Sequence, residues 1–174
     1  MMRERYYTSA WEWECCGGPL RVGDAAELEV QYDSDYAESM RSELANELPE
    51  PLTGVESHHD DESVVQRGRI VALDAVIADA KWVVTPRATR APRMQPLGDG
   101  SFVSFGNTEP GQAEGENVKG TSRLVPVSVL PDEAAVPEGA GPDLTVFGEQ
   151  ISPELTGYVI TIEVFEERQI SDYH

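Results

Sequence analysis

The chain has two cysteines, three histidines and only two lysines, Lys81 and Lys119, in 174 residues. Each scarcity removes a class of function. Two adjacent cysteines, Cys15 and Cys16, cannot form a disulfide framework, because neighbouring Cα atoms lie closer than a bridge of ordinary geometry needs. There is no C-x-x-C, so a thioredoxin-like redox motif is absent. No apolar run approaches the length of a membrane span. The first residues, MMRERYYTSAWEWE, lack the apolar core of a signal peptide, and a cytoplasmic location is the expectation. Basic residues number 13 against 32 acidic ones, a formal net charge of −19. Such a surface repels phosphate backbones, so generic nucleic-acid binding is disfavoured. The nucleophile elbow, the phosphate-binding loops and the H-E-x-x-H zinc helix are all missing.

What is present is mostly β signal. AELEVQY (26–32) alternates, with Ala26, Leu28, Val30 and Tyr32 on one face and acids on the other. VVQRGRIVALDAVIADAKWVV (64–84) is the strongest β segment, with Gly68 as a candidate bulge or bend. TGYVITIEVFEE (156–167) places Tyr158, Ile160, Ile162 and Val164 inward, with Thr161 and Glu163 outward. SFVSF (101–105), SRLVPVSVL (122–130) and DLTVF (143–147) are shorter apolar stretches, and Pro126 makes the second an edge strand or two pieces. WEWEC (11–15) also alternates and reads as a strand with Trp11, Trp13 and Cys15 on one face.

One amphipathic helix stands out at 35–48. Tyr36, Met40, Leu44 and Leu48 recur every four residues, Ser34 caps the start, and Pro49 and Pro51 stop it. Long loops are expected at about 49–63, 85–100, 106–120 and 131–142. Six or so strands in no βαβ rhythm predict a mainly β (α+β minority) single domain over 1–174. The expected form is an antiparallel small barrel or sandwich, SH3-like or OB-like, closed by the last strand pairing with an early one and covered by one packed helix.

The block Cys15-Cys16-Gly17-Gly18-Pro19-Leu20-Arg21-Val22-Gly23-Asp24 resembles the N-terminal CCG-x-P-hydrophobic-x-V-G-D stretch of an uncharacterised family of small actinobacterial proteins. The strand Arg67–Leu73 extends that likeness. The resemblance implies a cytoplasmic actinobacterial protein and assigns no catalytic residue.

Two sets of site candidates follow. The middle third carries six bases against seven acids, and PRATRAPR (86–93) has no acid at all. Trp82 with Arg87, Arg90 and Arg93 forms an anchor-plus-charge surface suited to an acidic protein partner or a small anionic ligand. The aromatics Trp11, Trp13, Phe102 and Phe105 serve as core or as an accessory recognition face. The second set is Cys15, Cys16, His58 and His59, a zinc site in residue type though not in usual spacing. Asp74 and Asp79 sit in an apolar run without a partnered base; Arg69 and Arg123 are candidate counter-ions for Asp74. The leading expectation is a non-catalytic binding module without a cofactor, then a zinc protein, then a small enzyme.

Overall fold

The computed structural model describes residues 2–58, 62–87, 93–105 and 110–165. The chain begins with a strand that sequence periodicity does not reveal, β1 (Arg3–Ser9), and continues directly into a helix, α1 (Ala10–Cys16). β2 (Leu20–Arg21) and β3 (Ala25–Gln31) precede α2 (Asp35–Leu44), which is followed by β4 (Gly54–Glu56). β5 (Val64–Thr85) is the longest element. A hairpin of β6 (Arg93–Pro96) and β7 (Phe102–Phe105) follows, then β8 (Gln112–Asn117), β9 (Arg123–Val127), β10 (Val129–Leu130) and β11 (Gly148–Val164).

The molecule is mainly β. Its principal sheet has seven strands and is mixed, because β1 and β4 run parallel where an all-antiparallel sheet was expected. β11 pairs with β1 from Arg3↔Glu163 to Ser9↔Gly157, so the last strand does meet an early one. β1 pairs with β4, β4 with β3, and β3 with β5. β5 then returns to β11 along almost its whole length, and the pairings form a cycle. The opposite edge of β5 carries β3, β9 and β8 in succession. Pro126 lies on β9, which pairs on one side only, as a residue without an N–H requires.

The two consecutive tyrosines of β1 show how the core is divided. Successive strand side chains point to opposite faces. Tyr6 enters one cluster with Trp13, Leu28, Val30, Ile70 and Ile160, while Tyr7 enters another with Ala37, Leu44, Leu52, Val55 and Val159. α1 contributes to the first cluster and α2 to the second. This corrects the expected outward face of β11: Thr161 is buried, and Val159 lies wholly inside the second cluster.

Three further expectations change. WEWEC is helical, not extended, because Ser9 Oγ accepts from the Glu12 N–H and starts a helix. The described residues therefore hold two packed α-helices. α2 stops at Leu44, short of Leu48, and is pinned by Arg41, which donates to the carbonyls of Leu52 (2.9 Å), Thr53 (2.7 Å) and Tyr32. The irregularities of the β5–β11 ribbon fall at Val71 and Thr156, which the register skips, rather than at Gly68. Gly68 instead permits close approach, since a Cβ there would lie 2.6 Å from the Glu163 carbonyl oxygen. The stretches expected as loops contain β4, β6 and β8, whereas 143–147 is a turn in which Asp143 accepts from Thr145 N and Oγ1.

Candidate functional site

The first candidate region lies where α1 meets the segment after β4. A helix turns adjacent residues about 100° apart, so Trp13 is buried while Trp11 remains 68 % exposed. Cys15 and Cys16 occupy the last turn, exposed and without a disulfide. Their thiols touch, contrary to the divergence that a strand would impose, and this contact with the nearby Glu12 and Glu56 charges pushes the Cys16 thiol up. A thiol held in its protonated form is a poor nucleophile.

Glu12 is buried and joins α1 to the chain after β4. Its Oε1 accepts from Ser57 Oγ at 2.7 Å and from His58 N at 3.1 Å. The His58 ring faces Trp13 at 6.1 Å, and its Nε2 lies 2.8 Å from Glu56 Oε1. Glu56 is the residue that sequence reasoning missed, hidden in a stretch taken for a loop. Its side chain is fully buried, and burial pushes its carboxyl up to about 7. The Thr8 hydroxyl opposes that rise, while the Glu12 and Glu29 charges add to it.

Neither Glu56 oxygen, nor His58 Nε2, Trp13 Nε1 or Thr8 Oγ1, has an aligned hydrogen-bond partner among the described residues. Glu56 Oε1 and His58 Nε2 thus approach closely without hydrogen-bond alignment. Cys15 and Cys16 close α1, and His58 lies against Trp13 of the same helix, whereas His59 lies outside the described residues. Among the described residues, no three Cys, His, Asp or Glu are disposed to hold a metal ion.

The second region is the far end of the β5–β11 ribbon. Trp82 is half-buried, not a protruding anchor. Its ring lies against Gly115 of β8, where any Cβ would collide with it, and its Nε1 donates to Ser152 Oγ at 2.9 Å. Ser152 Oγ in turn donates to Glu154 Oε1 at 2.7 Å. Arg87 is exposed and forms no ion pair among the described residues. Arg93 opens β6 opposite Phe105, and Arg90 lies outside the described residues. The register places Val83 opposite Glu149 and Lys81 opposite Ile151, which puts all four on one sheet face. On that face Ile151 is 70 % exposed and Val83 45 %. The Trp11–Trp13 region joins β11 at Gly157, seven residues along from the Gln150 that faces Trp82, so these tryptophans lie apart along the ribbon.

A third region was not anticipated. A cleft of about 240 Å³ opens between α2 and the β8–β9 connection, lined by Tyr7, Tyr36, Met40, Glu43, Asn117 and Lys119 among others. The remaining acid candidates are ordinary. Burial pushes the Asp74 carboxyl up, opposed by Arg5 rather than by Arg69 or Arg123; Arg123 lies 3.9 Å from Asp79. No helix among the described residues is long and apolar enough to cross a membrane.

A family model described as "Family of unknown function (DUF6578)" matches residues 2–164, and the chain belongs to that family. No curated protein and no solved structure matches it.

Proposed function

We propose that this member of an uncharacterised family is a non-catalytic binding module of the cytoplasm, built on a small barrel of SH3-like or OB-like kind. The cycle of strand pairings supports the barrel. The observation that carries the binding role is the bare sheet face at the ribbon's far end. There Ile151 and Val83 stand exposed beside Arg87, which has no internal ion partner among the described residues. Apolar side chains next to a basic segment, in a chain otherwise strongly acidic, suit an acidic protein partner. The test is quantitative capture from the native host, comparing wild type with Arg87→Ala/Arg90→Ala/Arg93→Ala and with Ile151→Glu. Specific partners retained equally by both variants would refute this surface.

A second reading, a transition-metal site, draws support from the unaligned approach of His58 Nε2 to Glu56 Oε1. Elemental analysis of untagged protein decides it. Less than about a tenth of an equivalent of zinc, copper or iron would remove this reading.

A further inference from the structure

The cleft between α2 and the β8–β9 connection has the parts of a small-ligand site. Its floor is the Tyr7 ring, fixed because Tyr7 Oη donates to the Thr156 carbonyl at 2.9 Å. Tyr36 of α2 meets that ring edge-on, with centroids 6.1 Å apart. Met40, one turn along the helix, adds a polarizable wall, so the inner cleft is aromatic and apolar.

The outer wall is held in place by Glu43. Its Oε1 accepts from Gly120 N at 3.2 Å and from Ser122 Oγ at 2.8 Å, tying the β8–β9 turn to the helix. These bonds engage one oxygen of the cleft's carboxylate. Lys119 sits on the same turn, beside Asn117 at the end of β8. Lys81, the other lysine of the chain, is paired with Glu149 at 3.1 Å. Lys119 makes no ion pair or hydrogen bond among the described residues. In a chain with 32 acids, a lysine at a cleft mouth without a carboxylate partner leaves a cation for something that enters the cleft.

We propose that this cleft binds a small monocarboxylate carrying one aromatic ring. The ring would pack between Tyr36 and Met40, and the carboxylate would meet Lys119. Size sets the upper limit, since 240 Å³ falls below the range of about 300 Å³ and more for drug-sized ligands. Charge sets the head group. One ammonium within a chain of net charge −19 favours a single negative charge over a phosphate dianion. An amine is disfavoured by the like charge of Lys119, against which Glu43 offers only its Oε2, its Oε1 being engaged by two donors. This site is separate from the ribbon surface proposed above, and neither depends on the other.

The experiment titrates the full chain, labelled with ¹⁵N, with phenylacetate, 2-phenylethanol and phenethylamine, which share a ring and differ in the head group. The expected result is saturable shifts at Tyr36, Met40 and Lys119 with phenylacetate, and binding at least about tenfold weaker for the other two. Lys119→Met on an exposed turn should lose about tenfold in phenylacetate affinity. Met40→Trp, which fills the cleft, should abolish the shifts, while thermal melts report whether each variant remains folded. Absence of saturable shifts with phenylacetate overturns the proposal. So does equal binding of phenethylamine, or unchanged affinity in folded Lys119→Met.

Discussion

β5 and β11 run side by side from Gly68↔Val164 to Val84↔Gly148, yet the two ends of that ribbon live in different surroundings. Toward Gly68 and Val164 it is packed on both faces. Leu73, Ile160 and Ile162 belong to one core cluster, and Val76 and Val159 to the other. Toward Val84 and Gly148, β8 pairs alongside, but the face bearing Lys81, Val83, Glu149 and Ile151 is open. The ladder hydrogen bonds are of the same kind throughout. What differs is the apolar area removed from water, and that term separates a rigid core from a presentable surface.

The comparison can be broken first at the packed end. Ile160→Ala removes a wholly buried side chain between strands that cannot collapse toward each other. It should cost about 4 kcal/mol in chemical denaturation; a loss below about 1 kcal/mol would mean that this end is not the rigid one.

Glu56 is a buried carboxyl within the packed half, and its effect depends on pH. Its folded-state pKa of about 7 lies above the ordinary 4.5, so the native state holds its proton more tightly than the unfolded chain. The resulting stabilisation is complete below about pH 4.5, declines as pH rises through 7, and is then gone. Glu56→Gln keeps the hydrogen-bonding shape without the charge. Relative to wild type it should gain up to about 3 kcal/mol between pH 4.5 and pH 8. A stability difference independent of pH would show that Glu56 does not titrate in this window.

At the open end, Trp82→Ala removes the ring from Gly115 and the bond to Ser152. It should cost about 2 kcal/mol and raise amide exchange in 80–85 and 148–152 before the rest of the sheet. Uniform exchange across β5 would erase the distinction between the two ends. The smallest effect is expected for Ile151→Ser. With its side chain in water, melting should shift by no more than about 0.5 kcal/mol equivalent, while solubility improves. A large loss of stability would mean that Ile151 is covered.

The strands with plain periodicity were legible. β3 alternates as read, burying Ala26, Leu28 and Val30, and β5 begins at Val64 as expected and ends at Thr85, one residue on. β1 was not, because a strand buried on both faces has no alternation to detect, and Tyr6 and Tyr7 are neighbours that serve different clusters. β4 is three residues long and defined by its partners β1 and β3. α1 has a start signal of its own, which the alternation of the same residues conceals. Ser9-Ala10-Trp11-Glu12 has the S-x-x-E form that opens helices, while Trp-Glu-Trp-Glu imitates a strand of period two. That Glu12 carboxylate is spent on Ser57 and His58 rather than on the cap. Since the cap and the buried Glu12 decide where the cysteines and His58 lie, misreading α1 also displaced the candidate site. Glu56 carried no sequence signal, since nothing local distinguishes a buried acid from an exposed one in an acidic chain.

The double partnership of β11 has a temporal consequence. Residues 148–164 supply an edge to both β1 and β5, so both core clusters lack part of a wall until that strand exists. On a ribosome, the first 147 residues therefore emerge without the strand that closes the cycle. Burial waits for contacts spanning more than 150 positions, such as Arg3 with Glu163, an arrangement associated with slow folding.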